Sequence, residues 1–105
     1  MADLFKRSLE MHYDVGGKIS VENRIPLTTS DHLALAYSPG VAQPCLEIYK
    51  DPSKVYDLTI KRNTVAIFSD GSSVLGLGNI GAKASIPVME GKAMLFKRFA
   101  GINAF

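Results

Sequence analysis

A single cysteine, Cys45, stands among 105 residues. One thiol closes no internal disulfide and builds no cysteine-rich zinc site, which fits a reducing compartment, and Cys45 itself reads as a core thiol. Charge of one sign is missing too. Twelve Lys and Arg against ten Asp and Glu leave a net +2, and the basic residues are scattered apart from Lys97-Arg98, so the chain lacks the basic footprint of a nucleic-acid binder. No apolar run approaches the roughly 20 residues of a membrane span, and the opening "MADLFKRSLEMHY" mixes apolar and charged residues without the apolar block of a secretion signal. Internal repeats, low-complexity tracts and an interdomain linker are absent as well. What is left is a soluble, cytosolic chain of at most one domain with one modest core, too short for a complete two-domain enzyme.

Apolar spacing sets the elements. Leu4, Phe5, Leu9 and residues 11–13 form the face of a first helix, ended by Gly16-Gly17, and "KISVENR" alternates Ile19 and Val21 like a short strand. Ser30 or Asp31 is placed to cap a short helix "HLALAY", since a small side-chain oxygen accepts a bond from a free helix-start amide. Tyr37 sits at its end. Pro39 suits a first helical position, and Val41, Cys45, Ile48 and Tyr49 recur at helical spacing after it. "DPSKVYDL" reads as a turn with a short segment, and "TVAIF" as a buried strand that stops at Ser69-Asp70-Gly71. "PVMEGKAMLFKRFAG" reads as a last helix capped by Gly101.

Between strand and last helix, "VLGLGNIGAKA" puts Gly76, Gly78 and Gly81 in G-x-G-x-x-G spacing. A dinucleotide fingerprint needs a strand running into the first Gly, a helix after the last, and an acidic residue about 20 positions on for the ribose. Only Val74-Leu75 separate Gly76 from the preceding turn, Pro87 interrupts the following helix, and position 101 is Gly. The spacing therefore reads as a turn in which backbone approaches something closely, with dinucleotide binding as the open alternative.

Two side chains carry potential proton chemistry. On a helix over 88–100, Val88, Lys92, Leu95, Phe96 and Phe99 share one stripe with Lys92 at its centre, while Glu90, Met94, Lys97 and Arg98 fall on the other side. An ammonium on an apolar face snorkels, finds a buried partner, or is kept partly neutral and able to take a proton; spacing leaves these open. Tyr37 is either a core tyrosine or, beside the free amides of the helix start after it, a phenol able to donate a proton to a bound acid. His12 and His32 have no metal-ligand spacing with each other or with carboxylates.

"LALAYSPGVAQPCLEIYKDP", "SDGSSVLGLGNIGAKASIPVMEGKAMLFKRFAGI" and "GKISV" together closely resemble the N-terminal domain of malic enzymes of the compact bacterial type. The resemblance runs from about Gly17 through nearly the whole chain. It implies an α/β class: a small, mostly helical domain with a short buried strand region and no Rossmann domain, filling residues 1–105 and ending before the NAD-binding domain. It further implies oxidative decarboxylation of malate to pyruvate and CO2, with NAD or NADP and Mg2+ or Mn2+, by a cytoplasmic homodimer. In that family the tyrosine of the Tyr-Ser-Pro block protonates the enol carbon, which falls on Tyr37. The lysine of the Gly-Lys block takes the malate hydroxyl proton, which falls on Lys92. Gly76, Gly78 and Asn79 would form a substrate-side turn.

The family's metal ligands and nicotinamide fingerprint lie beyond the matched part, so this segment is expected to hold neither cofactor nor metal and to be inactive alone. Ser73 stands where larger animal-type relatives carry a substrate-holding arginine, and Asn103 where many compact relatives carry aspartate. A non-catalytic dimerisation or ligand-binding module derived from such an enzyme is the alternative. Phe96, Phe99, Ile102 and Phe105 supply apolar surface for self-association.

Overall fold

The computed structural model describes residues 1–105 as five α-helices, two 3-10 turns and a two-stranded ladder. The chain divides into two units: Met1–Ser20 with Val65–Phe105, and Val21–Thr64.

In the first unit, α1 (Ala2–Val15) ends where the apolar spacing predicts, because Gly16 takes the left-handed conformation at φ 59° and its N–H closes on His12 O. A left-handed residue costs least as glycine, which makes it a natural helix stop. The long helix α5 (Gly81–Ala100) ends in the same way at Gly101, φ 67°. Its start corrects the sequence reading: Pro87 does not interrupt the helix but lies inside it, at the seventh position. Proline there removes one N–H from the ladder and crowds the carbonyl four residues back, so the helix tolerates a weak turn rather than stopping.

β1 (Thr64–Val65) and β2 (Asn103–Ala104) flank α5 in sequence. Phe105 N–H donates to Val65 O at 3.4 Å and Ile67 N–H to Phe105 O at 2.9 Å, the slanted pattern of a parallel pair. The five-residue buried strand expected over 64–68 is thus two residues long, and Phe68 is 91% exposed. β2 is its single neighbour and is itself two residues long. The strand expected at "KISVENR" does not form, since an alternating segment without a partner has nothing to receive its backbone groups. Buried positions in this unit are few and small: Gly71, Val74, Ser85, Ala93 and Ala104.

The second unit carries α2 (Ser30–Ala36), α3 (Ala42–Lys50), the 3-10 turn Pro52–Lys54, α4 (Val55–Leu58) and the 3-10 turn Ile60–Arg62. The cap of α2 is Thr29 rather than Ser30 or Asp31. Its hydroxyl accepts from His32 N–H at 3.1 Å, and Thr28 N–H donates to His32 Nδ1 at 3.2 Å. Pro39 is not a first helical residue; it follows a cis peptide in the turn between α2 and α3. Cys45 is exposed on α3, not a core thiol, and Tyr49 of the same expected stripe is 84% exposed. Asp51 caps the first 3-10 turn by accepting from Ser53 N–H, and Lys54 Nζ donates to Glu47 Oε2 at 3.0 Å, fastening that turn to α3.

Candidate active site

Tyr37 belongs to the second unit and Lys92, with the glycine turn, to the first. Each is built from its own surroundings.

Tyr37 closes α2: its N–H donates to Leu33 O and its carbonyl accepts from Val41 N–H, both at 2.8 Å. The backbone is held at both ends while the side chain stands 67% exposed. Gly40 makes the fold-back possible, because a methyl there would meet the Ala34 carbonyl that accepts the Gly40 N–H. The anion-friendly helix start expected beside Tyr37 is not there. The amides of Val41, Ala42 and Gln43 already donate to Tyr37, Pro39 and Gly40 carbonyls, and Pro44 has no N–H to offer. The turn has used the donors that a helix start normally leaves free.

Lys92 lies two-thirds of the way along α5 and is exposed. The apolar stripe around it is covered only in part: Val88 and Phe96 are half-buried, while Leu95 is 57% and Phe99 78% exposed. The helix instead buries Ser85 and Ala93. A cavity of about 260 Å³ runs along α5 past Ile86, Met89 and Glu90 toward Ile67 and Phe105, and its lining includes neither Lys92 nor Asn79.

The glycine turn is closed by its own backbone. Gly71 O accepts from Ile80 N–H at 3.0 Å and Gly81 N–H at 3.2 Å, and Val74, 4% exposed, anchors the turn while its N–H donates to Gly78 O. The glycine that is closely approached is Gly71, at φ 71°, where a methyl would overlap the Gly81 carbonyl. Gly76 and Gly78 have left-handed φ but open space around them, so nothing in the chain presses on the motif's first two glycines. Asn79 and Ser73 are exposed beside them. Asn103 accepts from Lys97 Nζ at 3.0 Å.

Sequence reasoning passed over one cluster. Lys18, with a side chain only 10% exposed, donates from Nζ to Pro87 O at 2.7 Å and to His12 Nε2 at 2.6 Å, and pairs with Glu90 Oε1 at 3.9 Å. Its main-chain N–H also reaches Glu90 Oε1, at 3.5 Å. His12 Nδ1 lies 2.7 Å from the Ser8 carbonyl, which can only accept, so Nδ1 carries the ring proton and Nε2 is the acceptor for Lys18. A charged residue next to a glycine pair was the sole signal in the sequence, and it names no partner about seventy residues away.

Residues 16–105 match the malic enzyme N-terminal domain. The chain belongs to the malic enzyme family. It is 60% identical over 99 residues to the NAD-dependent malic enzyme of Geobacillus stearothermophilus, covering 94% of this chain and 20% of that one. It is also 60% identical to the NADP-dependent malic enzyme of Escherichia coli strain K12, covering all of this chain and 14% of the relative. The malic enzyme of Pyrococcus horikoshii Ot3 superposes with a TM-score of 0.92 at 54% identity, over 97% of this chain and 24% of its own. The chain thus spans about a fifth of the length of the relatives it matches.

For a malic enzyme domain the fit of cofactor and metal is then a question of donors. No group of three or more His, Cys, Asp or Glu side chains is placed to hold a metal ion. The glycine turn is followed directly by a helix, as a dinucleotide fingerprint requires, but β1 ends at Val65 and no strand runs into Gly76. No helix is long and apolar enough to cross a membrane.

Proposed function

We propose that this domain supplies the proton-transfer residues of a malic enzyme, which oxidises and decarboxylates malate to pyruvate and CO2 with NAD or NADP and Mg2+ or Mn2+. Membership of the family over residues 16–105 supports the reading, together with Tyr37 and Lys92 at its Tyr-Ser-Pro-Gly and Gly-Lys positions. The roles assigned to this chain are two proton transfers. Lys92 takes the proton of the malate C2 hydroxyl as that carbon becomes a carbonyl. After loss of the C4 carboxyl as CO2, Tyr37 gives the phenolic proton to C3 of the resulting enolate, whose C2 oxygen returns to a carbonyl as C3 becomes the methyl of pyruvate. Both side chains are exposed. Gly76, Gly78 and Asn79 are assigned to a substrate-side turn, where the two glycines have open space around them and Asn79 is exposed.

The proposal takes residues 1–105 as one N-terminal domain, working as a homodimer in the cytoplasm; the exposed free thiol of Cys45 is at home in a reducing compartment. The test is a chimera in which residues 1–105 replace the matching segment of the Geobacillus enzyme. It should turn over malate, Lys92→Ala should lower kcat by roughly 10²-fold or more, and Tyr37→Phe should slow conversion of enol to pyruvate while leaving the melting temperature in place. Full turnover in either variant removes that residue from the mechanism. The 105-residue chain by itself should reduce neither NAD nor NADP with malate.

A further inference from the structure

We infer that Lys18 is a positioning residue for Lys92: its ammonium latches the α5 turn over 87–92 and fixes where the Lys92 amine stands. The inference rests on the assignment of Lys92 as the base.

The turn needs an external hold. Pro87 withdraws the N–H that would bond the Lys83 carbonyl and crowds that carbonyl, the commonest cause of a helix bend. Four residues on, Gly91 is a weak helix former, about 1 kcal/mol worse than alanine. Lys92 follows at once and is exposed, with no hydrogen bond or ion pair of its own to steady it. A bend at Pro87 therefore swings Lys92 relative to the first turns of α5.

The polar contacts of Lys18 on α5 fall on this segment, at Pro87 and Glu90. Its Nζ bonds the Pro87 carbonyl at 2.7 Å, and both its ammonium and its main-chain N–H face Glu90 Oε1. These bonds join residues 69 and 72 apart in sequence. The third direction of the ammonium is taken by His12 Nε2, which ties the latch back to α1. Glu90 is 22% exposed at its side chain and is committed to Lys18. Residues two apart on a helix do not face each other, so Glu90 does not act as a counter-ion to Lys92; it acts as the handle by which the turn is held. A general base must stand within hydrogen-bond reach of the hydroxyl it deprotonates, and a displacement of 1 Å costs a rate on the order of 10²-fold.

Amide hydrogen exchange on the 105-residue chain reads the latch directly. Lys18→Met keeps the apolar stem and removes the ammonium. It should speed exchange at Gly91, Lys92 and Ala93 by about tenfold or more relative to the last turn of α5, and Lys18→Arg, which keeps charge and donors, should restore most of the protection. In the active chimera, Lys18→Met should lower kcat about tenfold with little change in KM, and Lys18→Arg should rescue it. Unchanged exchange in Lys18→Met overturns the latch. Faster exchange with unchanged kcat, in a chimera that needs Lys92, overturns the positioning role. Should Lys18→Met not fold, Lys18→Gln, which is polar but lacks the ammonium, is read in the same way. Full turnover by Lys92→Ala is a different failure, that of the base assignment, and leaves the exchange result standing.

Discussion

Gly71 and Gly76 share a left-handed φ, 71° and 76°, and differ in what surrounds them. At Gly76 a methyl would meet open space, so Gly76→Ala carries the backbone penalty alone, about 1 kcal/mol. At Gly71 the methyl would also overlap the Gly81 carbonyl and break the two bonds that close the turn, so Gly71→Ala should cost about 3 kcal/mol. Urea unfolding of both variants checks the ranking, and equal losses would mean that the turn is not closed through Gly71. The G-x-G-x-x-G spacing drew attention to the wrong glycine, because spacing records which residues tolerate left-handed backbone but not which of them is approached. Lys92 and Tyr37 were legible in the same limited sense. Periodicity found an ammonium on an apolar stripe and a tyrosine before a helix start, and only the family resemblance gave either a role. The pairing of Lys18 with Glu90 was not legible, since an ion pair across seventy residues leaves no local pattern.

The helices were the most legible elements, because an apolar face at helical spacing and a glycine stop are both local. The first helix ended at its glycine, and the last at Gly101. The strands failed for a non-local reason: "KISVENR" has no neighbour, and "TVAIF" pairs only as far as the two residues of β2 allow. Pro87 was misread because its local penalty is real, yet the helix continues through it with the Lys18 contacts on its carbonyl side. In the second unit the joint between α3 and its following 3-10 turn is electrostatic and responds to acid. The hydrogen bond and charge of Lys54 hold the Glu47 carboxyl below its usual 4.5, and the Ser53 hydroxyl and amide hold Asp51 below its usual 3.8. A carboxylate whose pKa is depressed by folding contributes stability above its unfolded value and loses it as pH falls through the folded one. Stability of this unit should therefore decline below about pH 4.5, and Lys54→Gln should flatten the part due to Glu47. Glu47 titration by NMR checks this directly: in Lys54→Gln the carboxyl should return toward 4.5, and an unmoved titration would discard the joint.

Across the whole chain, large apolar side chains stand uncovered: Leu4, Phe5 and Leu9 on α1, and Leu95 and Phe99 on α5, are each more than half exposed. With only Val74, Ala93 and Ala104 as buried apolar residues, the chain has little core to stabilise it as a free monomer. Exposed apolar patches seek partners, and a second copy is the partner always present at high concentration. Sedimentation should therefore show concentration-dependent self-association, with the melting temperature rising as concentration rises, because folding and assembly are then linked. Leu95→Gln with Phe99→Gln removes two large apolar side chains from the Lys92 face without adding charge, and should weaken association while leaving the buried face of α5, Ser85 and Ala93, untouched. If the double variant associates as strongly as the parent, the contact is made by α1, and Leu4→Gln with Leu9→Gln should abolish it instead. A parent chain that stays monomeric, with a melting temperature independent of concentration, would show that these faces do not meet a second copy.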